Sequence, residues 1–424
     1  MKEKKEKSED KIKNSLPDKY HWESVENVHK IIKNFIIQNK DTLIIDTEKA
    51  DGSTLAKNIY SKLFSPPFNN SAVDGWAIKG PIPDGKFQFK ILPGMISAGS
   101  GDNINVDGGY SVKILTGAKL PNKTDTVILD EKVTKVDKKI FFNGPIEKGN
   151  NIRLKGEDII QGKKIFDSGH VLRPQDIALL VSAGIKKVEC KKRIKIGLLS
   201  TGDELLDLDN NKNFNDNPTS IYDANRPMIL NLLSRWNVDV INLGIIKDNY
   251  KKIYEKINSV SDDVDLFLTT GGVSAGNKDY LSKVLLDNGK LIVWRVAIKP
   301  GRPMAFGNFN NKPFFALPGN PVAAFVCSLI FVYPAINLML GKIEKPNKTL
   351  KLKSSFVKKK MLGRTEYLRA KILDQGLVDV FHSEGSGRIT SLSWSDGLVE
   401  LDEHTEEIKK GDIVDFIPYS NFGI

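Results

Sequence analysis

The residues best suited to chemistry lie in three turns in the second half of the chain, each after an apolar run. They are Thr269-Thr270-Gly271-Gly272, which leads through Ser274 to a helix expected near Asp279, then Lys299-Pro300-Gly301-Arg302, and Pro318-Gly319-Asn320-Pro321. Backbone N–H groups and the positive end of a helix can hold an anion in such a turn. Lys299 and Arg302 would complete an anion clamp opposite the glycine pair. If the three runs are strands of one parallel sheet, their turns share an edge and form one site for a large, polar anion.

A fourth turn, Ser200-Thr201-Gly202-Asp203-Glu204, ends the apolar run IKIGLLS and combines hydroxyls with two acids. An acid in this position can hold Mg²⁺ or a ligand hydroxyl, with Thr201 beside it. It can equally cap the N-terminus of the next helix. The spacing leaves both interpretations open.

Three weaker candidates lie in the first half of the chain. Asp74 lies in NNSAVDGWA, Thr116 precedes Gly117, and Asp158 follows Gly156-Glu157. From texture alone, a turn capped by Asn and Asp is the favoured interpretation of the Asp74 segment. Each of the three signals is weak singly.

Several kinds of catalysis are excluded by what the chain lacks. The sequence contains no HExxH, CxxC or GxxxxGK[ST], and its five histidines form no cluster. Histidine-based metal sites and catalytic triads are therefore disfavoured. Carboxylates with Lys and Arg remain, a set typical of Mg²⁺-assisted chemistry on phosphates or oxyanions.

Composition places the chain among soluble globular proteins. It has 424 residues, 40% hydrophobic content and a formal net charge of +11. The length predicts two to four domains. The net positive charge is not accompanied by any nucleic-acid recognition motif. The uncharged run Ala323–Leu340 is long enough to span a membrane, but its polar residues and its place after a turn favour a buried core helix. Two cysteines without a motif indicate a reducing compartment, so we expect a cytoplasmic protein.

The spacing of apolar residues changes along the chain from helical to strand-like, and these segments predict a multidomain α/β and β fold. We expect a flexible tail over 1–20 and an α/β domain with a mostly parallel three-layer sheet over 191–342. The remaining segments are a discontinuous domain over 21–49 and 147–190, an inserted β-rich domain over 50–146, and a C-terminal β-barrel or sandwich over 343–424. Strand-like runs dominate the last two segments, whereas apolar residues at helical spacing mark 21–40.

An ordered series of motifs resembles the MoeA and gephyrin E-domain family. The series is NSAVDGWA, LTGA, GEDI, LSTGDEL, YDANR, GIIKDN, TTGGVSAGNKDY, WRVAIKPGRPMAFG and LPGNPVAAF, and it covers nearly the whole chain from about residue 20. The resemblance implies a molybdopterin molybdenumtransferase, which inserts molybdate into adenylylated molybdopterin and releases AMP with the help of Mg²⁺. It also implies an elongated homodimer in which Asp74 and Thr116 of one subunit serve the site of the other.

Transferred position by position, the resemblance implies catalytic roles for Asp74, Asp158, Glu204 and Lys299. Metal binding is implied for Glu204, Asp248 and Asp279. Substrate binding is expected from the residues of the turns and from further matched positions: Thr116, Thr201, Thr270, Gly271, Gly272, Ser274, Arg295, Pro300, Arg302, Arg369 and Ser386. Asn69 stands where many relatives have Asp, and Arg295 and Arg302 stand where Lys is frequent, which alters the geometry offered to an oxyanion.

Two other functions fit the same resemblance. One is a non-enzymatic scaffold, as in the gephyrin branch, and the other is adenylylation of molybdopterin, the preceding step. The carboxylates and Lys299 argue against a scaffold, and the length of the chain argues against an added adenylylation domain. Molybdopterin adenylyltransferase or molybdoenzyme assembly proteins are compatible partners, whereas nucleic acid and membrane are not expected.

Overall fold

The computed structural model describes residues 22–100, 103–208, 219–273, 280–343 and 348–424. The described residues form two compact units, one of those up to residue 42 together with those from residue 191 onward, and the other of those between 43 and 190. The finer division into domains that the sequence predicts stays a prediction. The predicted tail over 1–20 lies outside the described residues.

The first unit is built on a six-stranded sheet flanked by helices on both faces. Alternate residues of the Leu266–Thr270 strand belong to different cores: Leu266 and Leu268 to one, Phe267 to the other. This alternation follows from the two-residue period of a strand, and a sheet buried on both faces needs apolar residues at every position. In spatial order the strands are Asp239–Ile246, Lys195–Thr201, Leu266–Thr270, Lys312–Leu317, Ala305–Phe309 and Gly289–Val293.

Helices cover this sheet and agree with the predicted pattern. The helix Val25–Phe35, capped by the Ser24 hydroxyl, buries Val28 and Ile32 in one core. The continuous apolar helix Pro321–Met339 is 78% buried, as predicted for a core helix. It is the one helix of the described residues with the length and composition of a membrane span. The other helices beside the sheet are Asn225–Arg235, Tyr250–Asn258 and Tyr280–Asn288.

One expectation about the sheet is wrong. The apolar run before the Lys299 turn was expected to be one strand of the parallel sheet, but it is divided: Gly289–Val293 is an edge strand of that sheet, while Ile298–Lys299 joins a different sheet. An unpredicted antiparallel strand, Ala305–Phe309, lies between the edge strand and Lys312–Leu317. The turn at Lys299 therefore does not follow a third neighbouring parallel strand, and the shared-edge argument holds only for the other two.

The C-terminal part of this unit is a closed five-stranded barrel, as the β texture predicted. Thr365–Ile372 pairs with both of its neighbours, Leu377–Val380 and Gly397–Leu401, which closes the ring. Ile298–Lys299 adds to this barrel in parallel with the same strand, so that Lys299 pairs in register with Glu366. The remaining barrel strands are Leu350–Ser354 and Ile413–Pro418, with the short pair Lys358–Lys359 and Glu407–Ile408 and the helix Thr390–Trp394 beside them.

The second unit is β-rich, in agreement with its Gly- and Asn-punctuated sequence. Its six-stranded sheet has the spatial order Thr126–Leu129, Gly75–Ile78, Tyr110–Ile114, Lys86–Ile96, Lys139–Asn143 and Thr134–Val136. Helix Pro174–Ser182 begins with a proline, a residue favoured at the first helical position. Shorter paired strands complete the unit: Thr42–Asp46 with Lys187–Lys191, Ile59–Tyr60 with Lys164–Phe166, and Asn70–Ser71 with Ile152–Arg153.

Candidate functional site

The carboxyl ends of two adjacent parallel strands hold a group of buried hydroxyls. Ser200 pairs in register with Thr270, and these two residues with Thr201 and Thr269 are nearly inaccessible to solvent. Within the described ranges, Ser200 Oγ, Thr201 Oγ1 and Thr269 Oγ1 have no hydrogen-bond partner. Buried polar atoms are nearly always paired, so this group offers binding capacity to a polar ligand.

The glycine pair allows the next turn to lie directly against this strand end. Gly271 and Gly272 have φ of 85° and 67°. A Cβ at Gly271 would lie 2.4 Å from the Thr201 carbonyl oxygen, and one at Gly272 would lie 2.5 Å from Thr201 Oγ1. The N–H of Gly271 donates to the Leu317 carbonyl at 3.2 Å. An anion bound at this turn, as predicted, would therefore have to be held by other N–H groups of the loop. Ser274 lies outside the described residues.

Asn225 connects the two turns and was not among the predicted site residues. Its Nδ2 donates to Thr270 Oγ1 at 2.8 Å and to the Gly319 carbonyl at 2.7 Å. Its buried Oδ1 has no partner among the described residues. Asn225 is the first residue of a helix and belongs to the YDANR motif. This motif was the feature of the sequence that could have identified Asn225 as a site residue.

The acidic turn places two of the predicted metal ligands in neighbouring loops. Asp203 Oδ1 accepts the backbone N–H of Asp248 at 3.2 Å, and Lys247 Nζ donates to the Asp203 carbonyl at 2.8 Å. Glu204 is exposed beside this contact. The third predicted ligand, Asp279, lies outside the described residues. Among the residues that are described, no cluster of three metal-binding side chains occurs. The carboxylates of Glu204 and Asp248 suit Mg²⁺, which is commonly held by one or two carboxylates and substrate phosphates.

Lys299 belongs to an ion network around a buried carboxylate. Glu366, whose side chain is 0% exposed, forms ion pairs with Lys299 and Lys358 at 3.5 Å and with Arg364 at 2.9 Å. Glu384 lies against both Lys299 and Lys358. Burial opposes ionisation of Glu384, but hydrogen bonds from the two lysines outweigh it and lower its pKa to about 2. Lys299 thus shares an anion with a second lysine that the sequence did not single out.

The other predicted cations each make contacts of a different kind. The Arg302 guanidinium is exposed and lies 5.1 Å from the Trp22 ring, and that of Arg295 lies 6.0 Å from the Trp294 ring. Arg369 is buried and donates to Ser391 Oγ at 3.0 Å and to the Ser383 carbonyl at 2.7 Å. Burial lowers the pKa of Arg369. Its hydrogen bonds hold the start of the loop that carries Glu384.

The same loop reaches the beginning of the apolar helix. The Val322 N–H donates to the Ser386 carbonyl at 3.1 Å, directly after the Pro318–Pro321 turn. Pro300 is buried at the end of the strand that carries Lys299. The Pro318–Pro321 turn is therefore linked to Thr270 through Asn225, and it is adjacent in sequence to Val322, which binds the Glu384 loop. The binding roles of Arg295, Pro300, Arg302, Arg369 and Ser386 stay predictions.

In the second unit, the predicted Asp74 and Thr116 lie together. Asp74 Oδ1 accepts from both the hydroxyl and the backbone N–H of Thr116 at 2.7 Å, and these bonds lower the Asp74 pKa. Asp130 donates its N–H to the Asp74 carbonyl at 3.2 Å, and its Oδ1 accepts from Trp76 Nε1 at 2.9 Å and from Lys113 Nζ at 2.5 Å. An ionised, exposed Asp74 is suited to contact a cation or a hydroxyl donor.

The same unit positions Asp158 and Asn69 by backbone contacts. The exposed Asp158 donates its N–H to the Ser65 carbonyl at 3.1 Å. Asn69 Oδ1 accepts the Lys155 N–H at 2.8 Å. The amide of Asn69 thus performs a turn-capping role that an Asp also performs, because both side chains offer a carbonyl-type oxygen.

Comparisons with known proteins agree along most of the chain. Residues 23–184 match the MoeA N-terminal region (domain I and II), residues 197–338 match a probable molybdopterin binding domain, and residues 349–419 match the MoeA C-terminal region (domain IV). The molybdopterin molybdenumtransferase of Haemophilus influenzae is 32% identical over 90% of this chain and 94% of its own length. A putative molybdopterin biosynthesis protein of Methanocaldococcus jannaschii is 30% identical over 95% of this chain and 98% of its own.

A solved structure extends this agreement to the fold. The MoeA protein of Pyrococcus horikoshii is 28% identical, with a TM-score of 0.81, and the match covers 94% of this chain and 100% of the other. The predicted likeness is thereby confirmed in sequence and in architecture. The chain belongs to the MoeA family of molybdopterin molybdenumtransferases.

Proposed function

We propose that this protein inserts molybdate into adenylylated molybdopterin and releases AMP, a late step of molybdenum cofactor biosynthesis. The observation that carries the proposal is the group of unpaired buried hydroxyls at the ends of the Lys195–Thr201 and Leu266–Thr270 strands. A phosphate-bearing pterin would supply the hydrogen-bond partners that these atoms lack. The molybdenumtransferase names of the curated relatives support the same reaction.

The two substrates are anions, and bringing them together requires positive charge. Lys299 would bind an oxyanion, and Thr201, Thr270 and Asn225 would bind polar groups of the pterin nucleotide. Glu204 and Asp248 would hold Mg²⁺ together with substrate phosphate, and the ion would act as a Lewis acid on the phosphoanhydride. Asp74, held ionised by Thr116, would orient a donor group of the substrate.

We further propose that the protein works as a cytoplasmic homodimer. The support is the family likeness, together with a long apolar helix that is 78% buried within the described chain. Light scattering on the purified protein would test the dimer, which should have twice the mass of one chain. A monomeric mass under assay conditions would contradict this part of the proposal.

Three assays of the purified protein, each with its own reactants, separate the three candidate functions. Purified protein would receive adenylylated molybdopterin, molybdate and Mg²⁺, and AMP and cofactor would be measured. Molybdate-dependent AMP release is the expected result. Adenylylated product formed from molybdopterin and ATP would indicate adenylyltransferase activity instead, and inert protein that binds a partner peptide tightly would indicate a scaffold.

Lys299→Ala tests the role of the lysine. We expect AMP release to fall by about a hundredfold or more, the usual loss when one electrostatic group of a site is removed. The fold should persist, because Glu366 keeps Lys358 and Arg364 as partners. Lys351→Ala is the matched control, since Lys351 pairs with Asp415 on the barrel surface and should leave activity unchanged. Full activity of Lys299→Ala would contradict the role.

A further inference from the structure

The ion network contains more positive charge than Glu366 needs. Three cations, Lys299, Lys358 and Arg364, form ion pairs with Glu366, and its side chain is fully enclosed. One buried carboxylate balances one of them, so two positive charges remain to be compensated. Uncompensated charges in a partly buried site are costly, which predicts that a further anion belongs here.

In this structure the further anion is Glu384. Its carboxylate contacts Lys299 through one oxygen and Lys358 through the other, so it bridges the two ammonium groups. Glu384 itself is half-exposed, with 46% of its side chain open to solvent, while that of Lys358 is only 10% exposed. The two lysines therefore present a bridging position for an anion, and the group that fills it lies on the solvent side.

The segment that carries Glu384 is held at its ends rather than at Glu384. Arg369 binds the Ser383 carbonyl, and the Ser386 carbonyl accepts from Val322. Glu384 belongs to no helix or strand. Replacement of its carboxylate by another anion requires a side-chain rotation and leaves these backbone contacts in place.

We propose that Lys299 and Lys358 form the oxyanion site together, and that Glu384 is a resident anion which an incoming tetrahedral dianion displaces. The inference rests on the proposed function for the identity of the dianion, molybdate. Departure of Glu384 leaves Lys299, Lys358 and Arg364 against Glu366 alone, an excess of two positive charges that a dianion neutralises. Arg369 adds to the same positive field at Glu384.

Displacement has a consequence for specificity. An anion with a single negative charge would replace Glu384 without improving the charge balance, whereas a dianion improves it. Any anion must therefore bind the two lysines more strongly than Glu384 does. The low pKa of the Glu384 carboxyl keeps this competitor ionised throughout the physiological pH range. Weakly bound monoanions are discriminated against by competition rather than by shape.

Calorimetric titration of the full-length protein with sodium molybdate tests the proposal. Glu384→Gln keeps the size of the side chain and removes its charge, so the molybdate Kd should fall by about fivefold to tenfold. Lys358→Met should raise the Kd by about tenfold or more, and the gain from Glu384→Gln should shrink in its presence. Glu407→Gln is the matched control, because Glu407 pairs with Lys359 and Lys409 on the same barrel and should leave the Kd unchanged.

The possible results distinguish this inference from the proposed function. An unchanged or higher Kd in Glu384→Gln, with its thermal unfolding midpoint retained, would overturn the displacement of Glu384. An unchanged Kd in Lys358→Met would overturn the paired-lysine site, even if Lys299→Ala had lost AMP release as expected. Failure of the wild-type protein to release AMP would reject the proposed function, while tighter molybdate binding by Glu384→Gln would still support the resident anion.

Discussion

Asp74 shows how one neighbouring residue sets the ionisation of a functional carboxylate. Both hydrogen bonds from Thr116 end on the same oxygen, Oδ1, and both favour the charged form. The hydroxyl is the larger cause of the lowered pKa, and the backbone N–H is the second. Thr116 therefore acts by keeping Asp74 anionic as well as by its own polarity.

Thr116→Val should raise the pKa of Asp74 toward its ordinary value, because the hydroxyl donor is lost while the backbone donor remains. The sign follows from the folded protein: a lowered pKa means that Asp74 stays charged at lower pH, so the variant should protonate earlier on acidification. Carbon-detected NMR titration of the Asp74 carboxyl would measure the change. Thr116→Ser keeps the donor and should titrate like the wild type, and an unchanged pKa in Thr116→Val would reject the assignment.

Single residues also show where sequence reasoning ends. Lys299 was recognisable because it begins a Pro/Gly turn, whereas Glu366 lies in TEYLRAKI, where a charged residue in an alternating strand ordinarily faces water. Glu366 is buried because Ile298–Lys299 adds to its strand in register. This pairing joins residues far apart in the chain, and no local pattern contains it.

At the scale of elements, Gly271 and Gly272 decide how closely their turn approaches the sheet. Gly244 and Gly271 both have positive φ, of 78° and 85°, but only Gly271 has a backbone atom in the way of a Cβ. The obstacle is the carbonyl oxygen of Thr201, at the end of a buried strand. A collision with such an atom cannot be relieved by rotating a side chain.

Gly271→Ala should therefore destabilise the protein more than Gly244→Ala does. Both variants should lose roughly 1 kcal/mol for the left-handed conformation, and Gly271→Ala about 1–3 kcal/mol more for the overpacked strand end. Urea denaturation followed by fluorescence would compare them. Equal losses in free energy of unfolding would show that the turn can move away from Thr201, against the close approach seen here.

The elements predicted well have a strong periodicity of apolar residues, whereas the strand that was missed is marked only by the turn that follows it. Helix Val25–Phe35 follows from the helical spacing of apolar residues in 21–40, and the strands of the parallel sheet follow from the apolar runs. The antiparallel strand Ala305–Phe309 was missed, although Asn310 and Asn311, with φ of 47° and 62°, form a two-residue hairpin turn. Consecutive positive φ values are typical of such turns, and Asn tolerates them.

At the scale of the whole molecule, the order of motifs predicts more than any single motif does. Each short turn taken alone allows a structural role, and texture alone favoured a capped turn around Asp74. The series from NSAVDGWA to LPGNPVAAF indicated the family that the full-length match to the Haemophilus influenzae relative confirms. Asp74 and Lys299 belong to different units of the chain.

The dimer that we propose makes a whole-molecule prediction about Asp74 and Lys299. If Asp74 serves the site of the partner subunit, a mixed dimer of Asp74→Asn and Lys299→Ala chains contains one site with both residues intact. Each variant alone should be inactive, while random exchange of subunits should restore about a quarter of wild-type AMP release, because half of the dimers are mixed and half of their sites are intact.

The experiment needs two tags, so that mixed dimers formed by co-expression can be purified apart from the parent dimers. The matched control is a dimer of one wild-type chain and one chain that carries both Asp74→Asn and Lys299→Ala. If Asp74 acts on the partner, each of the two sites of this dimer lacks one residue, so the control should be inactive. If Asp74 acts within its own subunit, the two outcomes reverse, because the control keeps one intact wild-type site and the mixed dimer keeps none. The direction of this reversal therefore decides whether one chain or two build each site.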